Sequence, residues 1–361
     1  MKSSETDKLF NKAEVLRQKS QYSKSLLFYK KALRGYVSSL DMKGALECQL
    51  STGDVYRMIG NFDHAGESYS SAIATAKRLG DMSALADAKT GMGLSMRGKG
   101  EWENALRMFS DALKFYRSNE DRHGTAFSLW AIAGALRIKG DILKAIAAYK
   151  ESLNMFKSLG YKPAVGYCLC GLGGTSRVAG LPKDSLDYYN AANRLFSLLK
   201  DNFGLAYSYC GIGNAFRMKG EYKKALKNFA RASSLYNRIG DLVSYSYTLW
   251  SIGTTYKMLE EYEKALYYFR TAHGLFKKTR DPRGIIYCKL GFGEIRMLKG
   301  RKKLAAGYFT SSLKDAAGYG FLVERCHAEM LLSYLVGELK LQCYNKLGLK
   351  LEFRDAPFNI P

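Results

Sequence analysis

Seven basic side chains recur in one phase, 40 residues apart: Arg17, Arg57, Arg97, Arg137, Arg177, Arg217 and Lys257. The series breaks at Met297, where Arg296 sits one place off. A guanidinium presents a planar fork of donors that matches a carboxylate or a phosphate, so this column points to an anionic, extended ligand. Three further columns lie ten, seven and three residues before each basic side chain. On a helix those offsets share one face with it. The first column reads Asp7, Glu47, Asp87, Phe127, Tyr167, Tyr207, Tyr247, Tyr287, and the second Phe10, Leu50, Thr90, Trp130, Cys170, Cys210, Trp250, Leu290. The third reads Glu14, Asp54, Leu94, Gly134, Gly174, Asn214, Thr254, Glu294.

These columns divide the face. Glu14 and Asp54 stand three residues before Arg17 and Arg57, where an ion pair within one helix is available, and Asp7, Glu47 and Asp87 add negative charge. Each exposed pair is worth only about 0.2–1 kcal/mol, yet together they weaken the positive field. From the fourth unit to the seventh the acids are gone, and the basic residues stand among rings. Arginine with tyrosine and tryptophan is the composition of binding hot spots. The candidate partner-binding set is therefore Phe127, Trp130, Arg137, Tyr167, Arg177, Tyr207, Asn214, Arg217, Tyr247, Trp250, Lys257 and Tyr287, with Arg17, Arg57 and Arg97 as a lesser extension. A structural alternative stays open: the basic side chains reach acids or carbonyls of the next unit, and the tyrosines pack between helices.

Other chemistry finds little support. The four histidines, His64, His123, His273 and His327, occupy unrelated phases without metal-ligand spacing, and the carboxylates or cysteine near His123 and His327 read as accidents of the surface. Gly91-Met-Gly93 and Gly171-Leu-Gly-Gly174 superficially suggest phosphate-binding loops, but they fall inside helical segments, where close packing explains them. Cys170 and Cys210 share one phase and are expected as small surface residues; Cys48, Cys168 and Cys288 share another, a packing position. No enzyme, metal site or cofactor is expected. The seven cysteines lack paired spacing, which fits a reducing compartment. The first residues carry no apolar signal core and no 18-residue apolar run exists, so a cytoplasmic chain without membrane insertion is expected. With 56 basic against 33 acidic residues the formal charge is +23, which admits acidic peptides and nucleic acid alike.

The elements that position these columns repeat with them. Units begin near residues 6, 46, 86, 126, 166, 206, 246 and 286. Within each, glycine or another small residue recurs at Gly53, Gly93, Gly173, Gly213, Gly253 and Gly293, and a turn glycine at Gly60, Gly100, Gly140, Gly180, Gly220 and Gly300. A ring is invariant at Tyr29, Tyr69, Phe109, Tyr149, Tyr189, Phe229, Phe269 and Phe309, flanked by small residues such as Ala105 and Ala112. This reads as a helical hairpin repeated eight times, each burying its apolar face only against its neighbours.

Gly93, Ala105, Phe109 and Ala112, with their counterparts, resemble the tetratricopeptide (TPR) repeat over roughly residues 6 to 320. The unit is longer than the usual repeat and lacks its closing proline. The second helix is expected to run on to stops such as Leu79-Gly80-Asp81 and Ile239-Gly240-Asp241. In repeat length the chain is similar to TPR adaptors of the Pins/LGN type. The resemblance implies an all-α, right-handed α-solenoid whose first helices line an inner groove. Residues 321 to about 345 read as a capping helix, and 346–361 as an extended tail.

The expected function is a protein–protein interaction scaffold or adaptor that holds an extended acidic peptide in a basic, aromatic groove. The alternative is a TPR protein that binds single-stranded RNA or DNA, stacking bases on the rings. Glu352, Asp355 and the terminal carboxylate of Pro361 also make the tail an anionic extended segment suited to this groove or that of a neighbouring molecule.

Overall fold

The computed structural model describes residues 4–353 and 355–361. Among them the chain forms eighteen helices and no strand. α1 (Glu5–Gln18) and α2 (Tyr22–Ser38) open the series, followed by α3 (Met42–Met58), α4 (Phe62–Leu79), α5 (Met82–Gly98) and α6 (Trp102–Ser118). Next come α7 (Arg122–Lys139), α8 (Ile142–Ser158), α9 (Lys162–Val178), α10 (Pro182–Leu199), α11 (Asn202–Met218) and α12 (Tyr222–Ile239). α13 (Leu242–Met258), α14 (Tyr262–Thr279), α15 (Pro282–Leu298) and α16 (Lys302–Tyr319) complete eight pairs. The single helix expected over 321–345 is two, α17 (Leu322–Leu335) and α18 (Gln342–Lys346), separated by a turn in which Gly337 takes φ 85°. Two compact units divide the chain, residues 1–132 with 238–241, and residues 133–237 with 242–361. No described helix is long and apolar enough to cross a membrane.

The expected stops and starts are present. α4 ends at Leu79, Gly80 adopts the left-handed conformation, and Asp81 caps the next helix by accepting from the Ala84 N–H at 2.9 Å. Asp41, Asp121, Asp201 and Asp281 make the same cap onto Gly44, Gly124, Gly204 and Gly284. Each cap satisfies a donor that the first helical turn leaves orphaned.

Rings wedged between glycines set the helix spacing. Tyr69 of α4 lies against Gly53 of α3 and Gly91 of α5; a Cβ at Gly91 would sit 2.2 Å from the ring. Tyr189 of α10 fits Gly173 of α9 and Gly211 of α11 in the same way, and Phe269 of α14 fits Gly253 of α13 and Gly291 of α15. The second helix of a pair is thereby clamped to the first helix of its own pair and to that of the next. A second ring seven residues on repeats the device: Tyr36 covers Gly44, Tyr116 covers Gly124, Phe196 covers Gly204 and Phe276 covers Gly284. Each buried ring contributes roughly 1.5–3 kcal/mol by area alone.

Three expectations about single residues are corrected. Cys326 of α17 and Cys343 of α18 form a disulfide, their Cα atoms 5.3 Å apart, while the other five cysteines are free. The partners meet only because the chain reverses between these helices, so sequence spacing carried no signal. Cys170, expected at the surface, is fully buried.

His327, also expected at the surface, is fully buried, with Nδ1 2.6 Å from the Tyr344 hydroxyl. Loss of solvation holds its pKa down to about 4; Glu324 opposes the shift, and Arg283, Arg177 and Lys257 reinforce it. The unfolded chain takes up this proton below about 6.5, whereas the folded chain refuses it until about 4. Stability from this group is therefore complete above the upper value and falls as pH drops between the two. At about 1.36 kcal/mol per pH unit, the wild-type chain is expected to lose roughly 2 kcal/mol between pH 7 and pH 5. Urea unfolding at both pH values checks this: His327→Gln should show a fall smaller by that amount.

Candidate functional site

In the first unit four acids of the sequence columns, Asp7, Glu14, Asp54 and Asp87, are engaged. Arg17 Nη2 bonds Glu14 Oε2 at 2.6 Å, and Arg57 Nη2 bonds Asp54 Oδ1 at 3.2 Å, the two pairs expected within one helix. Tyrosines of the paired helices add to them. Tyr69 donates to Asp54 at 2.7 Å, Tyr36 to Asp7 at 2.8 Å and Tyr116 to Asp87 at 2.5 Å; Tyr29 also donates to Glu14. The Tyr36 hydroxyl, followed by the cap at Ser4, holds the Asp7 carboxyl below its ordinary range. Arg97 lies over Trp130, 5.3 Å from the ring centroid, and Phe127 stacks on the same indole at 5.6 Å.

The second unit sets α9, α11, α13, α15 and α17 side by side as a row. Its rings mostly take the packing role left open by the sequence. Tyr167 rests on Phe196 at 4.9 Å and donates to Asp201 Oδ2 at 2.7 Å; Tyr207 meets Tyr189 at 6.5 Å and Tyr247 meets Phe276 at 4.7 Å. Trp250 lies 4.7 Å from the buried Tyr287 and donates its indole N–H to the Tyr287 carbonyl at 3.3 Å.

The four basic residues of this unit differ sharply. Lys257 was read as free of acids; it is instead buried against Glu294 of the next first helix, Nζ to Oε2 2.5 Å. Burial presses the Lys257 pKa down and Glu294 pulls it back. Arg217 is fully buried and gives its Nε and Nη2 protons to Asn214 Oδ1 at 3.3 and 3.2 Å, its guanidinium 5.8 Å from the Trp250 centroid. Lost solvation, and then the charge of Arg177, lower its pKa to about 9. Arg137 and Arg177 differ again. Nε of Arg137, and Nε and Nη1 of Arg177, are buried without an acceptor among the described residues. Gly174 makes room there, since a Cβ on it would lie 3.1 Å from the Tyr189 hydroxyl and 3.6 Å from Arg137 Nη1.

The tail crosses this row. Lys350 N–H donates to the Ala179 carbonyl at 3.1 Å, beside Gly180, where a side chain would collide with the Lys350 carbonyl. Further on, Phe358 is buried between Tyr334 and Phe353, its centroid 4.9 and 5.8 Å from theirs. Its N–H donates to Glu294 Oε1 at 2.5 Å, and its carbonyl accepts from Lys257 Nζ at 2.7 Å. Asn359 accepts from Arg217 Nη1 and returns its amide N–H to the Arg217 carbonyl at 2.7 Å. The segment seats through neutral groups, whereas Glu352 and Asp355 are exposed. Phe358, Asn359 and Tyr334 are therefore candidate residues that sequence reasoning missed, and Glu294, visible in the third column, was left out of the candidate set.

Comparison with known proteins agrees with this architecture. A tetratricopeptide-repeat family model matches residues 84–158 and 205–278, and no curated protein matches the sequence. A Rap protein complexed with Competence and Sporulation Factor aligns over 96% of this chain and 99% of its own, with TM-score 0.62 and 13% identity. The Rap conjugation gene regulator of the plasmid pLS20, in complex with the Phr* peptide, aligns over 87% and 95%, with TM-score 0.60 and 12% identity. NprR in complex with its cognate peptide NprX aligns over 92% and 100%, with TM-score 0.58 and 15% identity. The repeated hairpins, the glycine-clamped rings and these matches give the chain an all-α solenoid fold of tetratricopeptide-like repeats, with residues 84–158 and 205–278 matching the repeat family itself.

Proposed function

We propose that the chain is a non-enzymatic interaction scaffold whose second unit holds an extended peptide segment of a partner protein along the row α9 to α17. Its acidic part would lie at Arg137 and Arg177. The observation that carries this reading is the set of buried guanidinium N–H groups on these two arginines that find no acceptor among the described residues. A buried donor left unpaired costs about 1–3 kcal/mol, which a ligand carboxylate would recover through charge-assisted bonds. The three structurally similar proteins described as peptide or factor complexes support the choice of a peptide. The free cysteines accord with a cytoplasmic location, and the Cys326–Cys343 disulfide weighs against it.

Fluorescence anisotropy with a fluorescein-labelled hexaglutamate at physiological salt tests the reading. Arg137→Gln with Arg177→Gln is expected to weaken binding at least about tenfold, the low end for hydrogen bonds to charged groups. Unaltered binding would sink the proposal. An oligouridylate bound more tightly than hexaglutamate, with a steep salt slope, would replace it by the nucleic-acid reading. That alternative draws little support from the row, where Tyr287 and Trp250 are packed rather than open to bases.

A further inference from the structure

The row already carries an occupant, and its contacts have an order. The segment meets Glu294 of α15 through the Phe358 N–H, Lys257 of α13 through the Phe358 carbonyl, and Arg217 of α11 through the Asn359 amide. It thus advances one first helix at a time toward α9, which carries Arg177 and its unpaired Nε and Nη1. At two of the three contacts the wall recognises main-chain N–H and C=O, as it would in any extended chain. At the third it takes a carboxamide, which both accepts from and donates to Arg217. The aromatic side chain enters a pocket made by Tyr334 and Phe353, and Ile360 is buried beyond it.

We propose that residues 356–361 are a resident, displaceable ligand, and that the row's partner is an extended segment of one polarity. It would carry an aromatic–asparagine–aliphatic run across α15, α13 and α11, followed on its C-terminal side by a carboxylate at Arg177. This deepens, and rests on, the reading of the row as a peptide site. It also assigns specificity: Arg217 and Lys257 read neutral groups, and the acid is read farther along. A carboxylate in place of the asparagine would lose the donor that the Arg217 carbonyl accepts.

The test uses the full-length chain carrying Phe358→Ser and Asn359→Ala, which loosens the occupant while leaving Arg177, Arg217, Lys257 and Glu294 in place. Two labelled probes are compared, Ala-Pro-Phe-Asn-Ile-Pro-Glu-Glu and the reordered Glu-Glu-Ala-Pro-Phe-Asn-Ile-Pro. The first should bind the variant at least tenfold more tightly than it binds the wild type, and at least tenfold more tightly than the reordered probe binds. Equal affinity for wild type and variant would overturn displacement, and equal affinity for the two probes would overturn the polarity. If the variant does not fold by circular dichroism, the wild type serves instead. Hydrogen exchange at the Phe358 and Ile360 amides should then rise when the first probe is added in excess, and unchanged protection would overturn the proposal. Binding of hexaglutamate without response to either probe would end this inference while leaving the Arg137 and Arg177 site standing. Binding of none of the three would end both.

Discussion

Glu294→Ala is expected to destabilise the second unit by about 3–5 kcal/mol, the range for removing one partner of a buried ion pair. Lys257 and Glu294 are both almost fully shielded from solvent, so the remaining ammonium would keep only the Phe358 carbonyl as its partner. The variant would also release the Phe358 N–H, so loss of stability and loosening of the tail should coincide. Because burial already depresses the Lys257 pKa and Glu294 opposes this, deleting Glu294 lowers it further. The variant should then recover stability as pH rises toward 10, where the unfolded lysine also begins to lose its proton. Lys257→Met with Glu294→Met should fall near the wild-type value, since paired apolar replacements of buried ion pairs are often neutral or stabilising. Urea unfolding at pH 7 and pH 9.5 measures all three. A single variant as stable as the wild type at pH 7 would show that the pair contributes nothing.

Phe269→Ala should cost a similar amount, about 3–5 kcal/mol, through lost burial and the cavity it leaves. The ring is fully buried between Gly253 and Gly291, and neither backbone offers a side chain to fill the gap. Gly291→Ala should also destabilise, by roughly 1–3 kcal/mol, because its Cβ would fall 2.7 Å from that ring. The instructive case is Phe269→Leu with Gly291→Ala. The smaller side chain relieves the collision, so the pair should cost less than the sum of the singles, a coupling that thermal unfolding of the four proteins resolves. Strict additivity would mean that ring and glycine do not share one space.

The period of 40 made the fold legible, because a ring or a glycine required in every pair recurs where chance composition would not place it. The candidate site was legible only in part. The basic column was visible, and so were the i,i+3 pairs at Arg17 and Arg57, since both are patterns within a helix. Lys257 was misjudged because its acid lies 37 residues away on a neighbouring helix, a pairing set by packing. The rings of the second unit looked like a binding surface, but Trp250 and Tyr287 serve largely to pack. The tail was hardest to read. Its charged residues attracted attention, yet its seat is built from an amide, a carbonyl, an N–H and a phenyl ring, none of which forms a charge pattern. The signal that could have found it was the neutral run Phe358-Asn-Ile360 following a polar stretch.

The way this segment is attached has a kinetic and concentration consequence. The Lys350 N–H is bonded to the Ala179 carbonyl and Leu351 is buried, so Phe358 is tethered only a few residues beyond an anchored point. A ligand on so short a tether acts at a local concentration on the order of millimolar, whatever the amount of protein present. A free partner at about micromolar abundance must therefore outbind it by about a thousandfold, equivalent to about 4 kcal/mol, to take half the sites. Weak encounters are screened out and strong ones pass.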